Sequence, residues 1–170
     1  MNNKTINFNH LGFSIKLIDW PHLKIDGELI PDVDYQLLEL LVFRQLPMKP
    51  SKLTGSEIKF LRHHLGKTQA EFSKWLNNDS SVPTISNWEK FDLLPTKMSA
   101  DTEVMLRLNI MKYIFENLRR KNFSFDQISN FKKAVAKSNS CPLQLDSRRF
   151  FPLAKNPPFD GSAYHIVLHG

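Results

Sequence analysis

Polar and apolar positions alternate with a period of two over residues 4–18, where Ile6 and Phe8 are followed by Phe13, Ile15 and Leu17. That period belongs to strands with one buried face. Turn-forming residues at 9–12 predict that the two runs close as a β-hairpin. A second extended piece, residues 23–30, is interrupted by Asp26-Gly27, a turn dipeptide. After Pro31 the period lengthens. Residues 35–46, YQLLELLVFRQL, form a strongly apolar helix with Asp32 or Asp34 as its cap. A short linker at 47–52 follows, and its brevity predicts that the parts on either side pack together.

Residues 53–95 then carry three short helical segments with distinct start and stop signals. Thr54 and Glu57 make a T-x-x-E capping box, ahead of Ile58, Leu61 and Leu65 on one face. Gly66 ends this helix, since glycine takes the left-handed conformation without a Cβ penalty. Thr68 caps a second helix over 69–76, with Ala70, Phe72 and Leu76 expected inside. A polar turn, 77–81, leads into a third helix over 82–90. Pro83 suits its first turn, where a missing N–H costs nothing, and Ile85 and Trp88 mark its inner side. Three short helices with a turn between the second and third are the plan of a DNA-reading helix-turn-helix.

The residue pattern T-Q-A-E-F-x-x-x-L followed by P-T-I-S-N-W-E resembles the Xre/Cro-like helix-turn-helix family, with Glu89 and Pro95 at that family's usual positions. The turn departs from the family, running N-N-D-S-S after Leu76 and being about two residues longer; Phe91 also replaces a loop glycine. The N-terminal order is similar to the sheet-plus-helix domain of MqsA-like antitoxins and their regulator relatives. The resemblance spans about residues 4–120. In that family two C-x-x-C pairs hold a structural zinc. Here Leu23 and Asp26 stand at one pair's positions and no cysteine precedes the first strand, so the resemblance implies a branch without metal.

Residues 98–121 predict a long helix capped by Ser99, with Asp101 and Glu103 in its first turn. Its main stripe is Val104, Met105, Leu108, Met111, Ile114, Phe115 and Leu118, while Leu106, Ile110 and Tyr113 lie off it. The surplus suits either one enlarged core or, the preferred reading, a dimer contact, because helix-turn-helix proteins commonly read paired half-sites. A second capping box, Ser124 and Gln127, predicts a helix over 125–137 with Ile128, Phe131 and Val135 inward. Residues 141–158 read as a loop, and 162–168 as a closing strand able to join the N-terminal sheet.

The 170 residues carry a formal charge of +6. The distribution says more: residues 1–50 hold five basic and six acidic side chains, whereas 99–140 hold eight and four. An excess that begins with the helix-turn-helix fits phosphates lying along the centre, and fits a solvated helix face equally well. No apolar run is long enough to span a membrane, and the first ten residues lack the pattern of a secretory leader. A single cysteine, Cys141, makes no internal disulfide, so a cytoplasmic setting is expected.

For a third helix in the major groove, the base-reading candidates are Val82, Pro83, Thr84 and Asn87. Asparagine can bond bidentately to adenine, and valine can touch a thymine methyl; for Thr84 a buried or capping hydroxyl is nearly as good a reading. The phosphate candidates are Lys67, Thr68, Gln69, Ser81, Lys90 and Lys97. Catalysis has little support. His63 and His64 point to different helix faces, His165 and His169 have no acidic or cysteine partner beside them, and no glycine-rich phosphate loop exists. The expectations are therefore a mainly α chain with a small N-terminal β element and an Xre-like five-helix DNA-binding domain, divided at 1–50, 51–120 and 121–170. It should bind double-stranded DNA at an inverted repeat as a homodimeric, antitoxin-type autorepressor. No catalytic residues, metal, cofactor or membrane association are expected. The alternative is a module that neutralises a protein toxin through its N-terminal part.

Overall fold

The computed structural model describes residues 4–76, 81–117, 132–136 and 141–150. Strands β1 (Thr5–Phe8) and β2 (Ile15–Ile18) pair antiparallel, Ile6 facing Leu17 and Phe8 facing Ile15. Their inward positions, Ile6, Phe8, Ile15 and Leu17, are buried, as the alternation predicts. The hairpin base is closed where Lys4 and Asp19 exchange bonds: Lys4 N–H donates to the Asp19 carboxylate and Asp19 N–H to the Lys4 carbonyl. Next, β3 (His22–Ile25) and β4 (Glu28–Pro31) form a separate two-stranded ribbon. Its turn residues Asp26 and Gly27 both have positive φ, 51° and 88°, the geometry a two-residue hairpin requires.

Helix α1 (Tyr35–Gln45) is capped by Asp34, whose carboxylate accepts from the N–H groups of Gln36 and Leu37. It buries Leu38, Leu41, Val42 and Phe43, and a 3-10 turn, Leu46–Met48, continues it. Helix α2 (Gly55–His64) opens with the predicted Thr54/Glu57 box, and Gly66 follows it at φ 65°. Then come α3 (Gln69–Trp75) and α4 (Val82–Glu89). The long α5 (Ala100–Asn117) receives its first-turn bonds from Ser99. A helical turn at 132–135, α6, places Val135 inward. One buried cluster runs from the first sheet through α1 to α5, so the segments on either side of the 47–52 linker share a core.

The expected fold class is overturned. The described residues hold seven helices and five strands in two small sheets, a mixed α/β arrangement and not a five-helix domain with one N-terminal β element. The decisive piece is β5 (Leu143–Asp146), inside the stretch read as loop. It pairs parallel to β2, Leu17 facing Leu145, and completes a sheet of order β1-β2-β5. Leu143 and Leu145 are buried there, so the alternation of L-Q-L-D was a strand signal hidden among prolines and arginines. The short helix α7 (Ser147–Phe150) follows, with the Ser147 hydroxyl donating to the Asp19 carbonyl. Strand 162–168, the start of helix 125–137 and turn residues 77–80 lie outside the described residues.

Two packing expectations also change. Ala70 is exposed, because α3 rests on Phe72 and Leu76 and turns residue 70 outward. On α5, Leu106 and Ile110 are fully buried while Met105 is exposed. The helix therefore buries a wider face, Val104, Met111 and Ile114 of the expected stripe together with Leu106 and Ile110, while Tyr113 stays exposed like Met105.

The linker is held by ions. Arg107 and Glu103, both with fully buried side chains, pair at 2.8 Å. The guanidinium uses all five N–H groups: two reach Glu103 Oε1, and the others reach the carbonyls of Pro47 (3.1 Å), Lys49 (2.7 Å) and Ser51 (2.5 Å). Glu103 also accepts from Leu53 N–H, leaving its Oε2 as one of two buried side-chain atoms without a partner among the described residues. Beside it, buried Lys49 donates to both oxygens of Glu57 at 2.7 Å, joining the linker to the α2 capping box.

Candidate nucleic-acid interface

Helix α4 is fixed from its inner side. Ile85 and Trp88 are buried against Ile58 and Leu61 of α2 and Phe72 of α3, all in the common core. Its last residue, Glu89, is clamped by Arg62 of α2 through two bonds, 2.6 and 3.0 Å. Gln69 of α3 adds a third to the same carboxylate at 2.9 Å, and Arg62 also donates to the Lys67 carbonyl at 2.8 Å. A single network thus joins α2, the α2–α3 turn, α3 and α4. Burial acts most strongly on Glu89 and works against its charge. The bonds from Arg62 and Gln69 together outweigh it and hold the carboxyl below its ordinary value.

Sequence reasoning passed over Arg62. It falls four residues after Ile58 on the apolar face of α2, and a charged residue in such a place signals a buried partner. The sign of the pH dependence follows. A carboxyl whose folded pKa is depressed adds stability that is present above its unfolded value and is lost as pH falls through the folded one. The wild-type chain is expected to lose unfolding free energy through the acid range, and Glu89→Gln to show a shallower acid limb. Urea melts at a series of pH values measure this, and parallel limbs would contradict it.

The outer side of this unit gathers part of the candidate set. Thr84, Asn87, Lys90 and Lys97 line one open concavity of about 490 Å³, walled by Trp88 and Phe91. Asn87, Lys90 and Lys97 are exposed, and the Lys97 ammonium lies 5.6 Å from the Phe91 ring centroid. Val82 and Pro83 are exposed at the start of α4, outside that concavity. Ser81 and Thr84 are bonded hydroxyl to hydroxyl at 3.0 Å, so Thr84 serves the helix start as well as the groove.

The remaining three candidates are placed differently. Lys67 carries its ammonium 6.0 Å from the Trp75 ring centroid. Thr68 is engaged with Glu71, which it caps and to which both its N–H and its hydroxyl donate at 2.8 Å. Glu71 therefore covers the α3 start with an anion of its own, its carboxyl held low chiefly by the Thr68 N–H bond. Gln69 spends its amide on Glu89.

His63 and His64 diverge. His63 Nε2 lies 2.9 Å from the Arg62 guanidinium, whereas His64 stacks on Phe43 at 4.2 Å. Burial pulls His64 below its ordinary pKa despite nearby Glu39. Cys141 is exposed, its N–H donating to the Ser51 hydroxyl. No metal-ligating cluster occurs among the described residues, and none of their helices is long and apolar enough to cross a membrane. No family model, curated protein or solved structure matches the chain.

Proposed function

We propose that the chain is a sequence-specific binder of double-stranded DNA, with α3 and α4 as the helix-turn-helix and α4 as the reading helix. The observation that carries this is the two-sided character of α4: Ile85, Trp88 and Glu89 anchor it, while Val82, Pro83, Asn87 and Lys90 stand exposed on the other side. A helix held rigidly with a polar outer end is what base reading in the major groove needs. The regulatory role is repression by promoter occupancy, as a homodimer on an inverted repeat, in the cytoplasm. The likeness to Xre/Cro-like and MqsA-like sequences supports an autorepressor of antitoxin type.

Selection from random duplexes, followed by salt-titrated binding of the winner, tests the reading. An enriched inverted repeat with half-sites about one turn apart supports it; weak, salt-sensitive binding with no enrichment sinks it. On the enriched site, Asn87→Ala is expected to cost about 1–3 kcal/mol and relax preference at one base pair. Unchanged discrimination at every position would remove Asn87 from the reading set. Lys90→Ala is expected to weaken all duplexes alike and to lower the salt slope by about one. A loss confined to the selected site would contradict its phosphate role.

One feature favours a second reading, a protein-binding antitoxin. The β3–β4 ribbon exposes Leu23, Ile25, Leu29 and Ile30 beside Asp26 and Glu28. A two-stranded ribbon gains little from its own pairing in water, and an apolar one with two acids, Asp26 and Glu28, against one base, Lys24, suits a basic protein partner such as a toxin. Loss of partner binding in Leu23→Ser/Ile30→Ser, with DNA binding intact, would establish that reading.

A further inference from the structure

The concavity beside α4 is furnished for more than duplex contact. Its volume, about 490 Å³, is in the range of small-molecule sites, which set a few polar groups among apolar walls. Two rings make the wall: Trp88, seated in the core, and the half-buried Phe91, which stands where the helix-turn-helix pattern has a glycine. Backbone bonds fix that ring. Phe91 N–H donates to the Trp88 carbonyl at 3.2 Å, Leu94 N–H to the Phe91 carbonyl at 2.8 Å, and Thr96 N–H to the Leu53 carbonyl at 3.1 Å. The charges on the lining are all of one sign. Lys90 and Lys97 are exposed, and neither has a carboxylate partner among the described residues. The acids next to them in the chain are engaged elsewhere, Glu89 by Arg62 and Gln69, and Asp92 by the Ser56 hydroxyl. Lys97 keeps its ammonium 5.6 Å from the Phe91 ring centroid, so charge and ring meet at one place.

We propose that this concavity is an effector site for an aromatic phosphate monoester, the ring lying against Phe91 and Trp88 and the phosphate between Lys90 and Lys97. A phosphate monoester carries nearly two negative charges at neutral pH and three strong acceptor oxygens, which two unmatched ammonium groups complement. Aromatic pairs add to what burial alone supplies, and the exposed Asn87 amide adds a polar group at the rim. Because Asn87 and both lysines are also duplex contacts, occupancy excludes DNA and makes the ester an inducer. That exclusion rests on the DNA reading proposed above; the binding of the ester does not.

The test is calorimetric titration of the full chain, without DNA, with phenyl phosphate. Inorganic phosphate is the control without a ring, and benzyltrimethylammonium the control of reversed charge. Saturable binding of one phenyl phosphate per chain is expected, about tenfold tighter than inorganic phosphate, the gain from one aromatic contact. Lys97→Gln should weaken it about tenfold or more, the effect of one lost charge-assisted bond. Asn87→Trp, made at an exposed position on the lining, should block the concavity while circular dichroism and melting stay as in the wild type. Absence of saturable binding, equal binding of either control, or survival of tight binding in either variant would overturn the site. On the selected duplex, phenyl phosphate at about ten times its dissociation constant should weaken binding about tenfold by mass action, and inorganic phosphate at equal ionic strength should not. An unmoved duplex affinity would overturn the effector role. If no duplex is selected, the DNA reading fails and the effector role with it, while the titration alone still decides the site.

Discussion

Arg107→Met is expected to lower the unfolding free energy by about 3–5 kcal/mol, the range for breaking a buried ion pair from one side. The reason is what the substitution leaves behind. Glu103 would keep a carboxylate inside the core with only the Leu53 N–H on it, its Oε2 already lacking a partner. The carbonyls of Pro47, Lys49 and Ser51 would lose the donors that gather the linker round one guanidinium. Methionine matches the aliphatic length of arginine, so the loss reports bonding and charge more than volume. Urea denaturation measures it. The double variant Glu103→Gln/Arg107→Met should recover part of the loss, because the stranded charge goes with it. A single variant within about 1 kcal/mol of wild type, close to the effect of an ordinary surface change, would show that the linker does not depend on Arg107.

The second large effect is expected at Gly55. A Cβ there would sit 2.6 Å from both Asp92 N and the Trp88 carbonyl, and 2.8 Å from the Glu89 carbonyl. All three are backbone atoms, so no side-chain rotation relieves the clash. The start of α2 is stitched to the segment after α4 at the same place: Gly55 N–H donates to Leu94, Ser56 N–H to Asp92, and Thr54 bridges to Pro95. Gly55→Ala is expected to cost about 1–3 kcal/mol as overpacking. It should also displace α4 from α2, strain the Arg62–Glu89 clamp and reduce affinity for the selected duplex more than for random DNA. Ser56→Ala next door meets no such clash and loses only an exposed hydroxyl bond to Asp92, so it should change both far less. An alanine variant that melts and binds as wild type would mean the two helices can separate freely.

Local chemistry made much of the chain legible. The Thr54/Glu57 box, the Thr68 cap, Asp34 (one of the two caps the sequence offers), Gly66 and Asp26-Gly27 each act through neighbours within a few residues, and each lies where its own sequence puts it. What escaped depended on distant partners. Residues 143–146 become a strand only through β2, and four residues beside proline carry too short an alternation to announce it. Glu103 is legible locally only as a first-turn acid, and nothing near Arg107, four residues on, shows the linker wrapped over the pair. On α5 the buried side takes in Leu106 and Ile110 beside the expected Val104, Met111 and Ile114, because the sheet and linker cover more than one stripe, and Met105 faces out. In the candidate interface, exposure of Asn87 and Lys90 was readable from helical phase, whereas the clamp at Arg62 needed knowledge of which helix it faces.

The parallel pairing of β2 with β5 also sets the order of events during synthesis. The Ser147 hydroxyl that bonds to Asp19 is 128 residues further along the chain. At ribosomal rates of roughly 5–20 residues per second, the first hairpin waits about 6–25 s for its third strand. Through that interval β2 is an uncovered edge bearing Ile15 and Leu17, the kind of edge that recruits strands from other chains. The nascent N-terminal half thus carries an unpaired edge until residues 143–146 emerge and close the sheet.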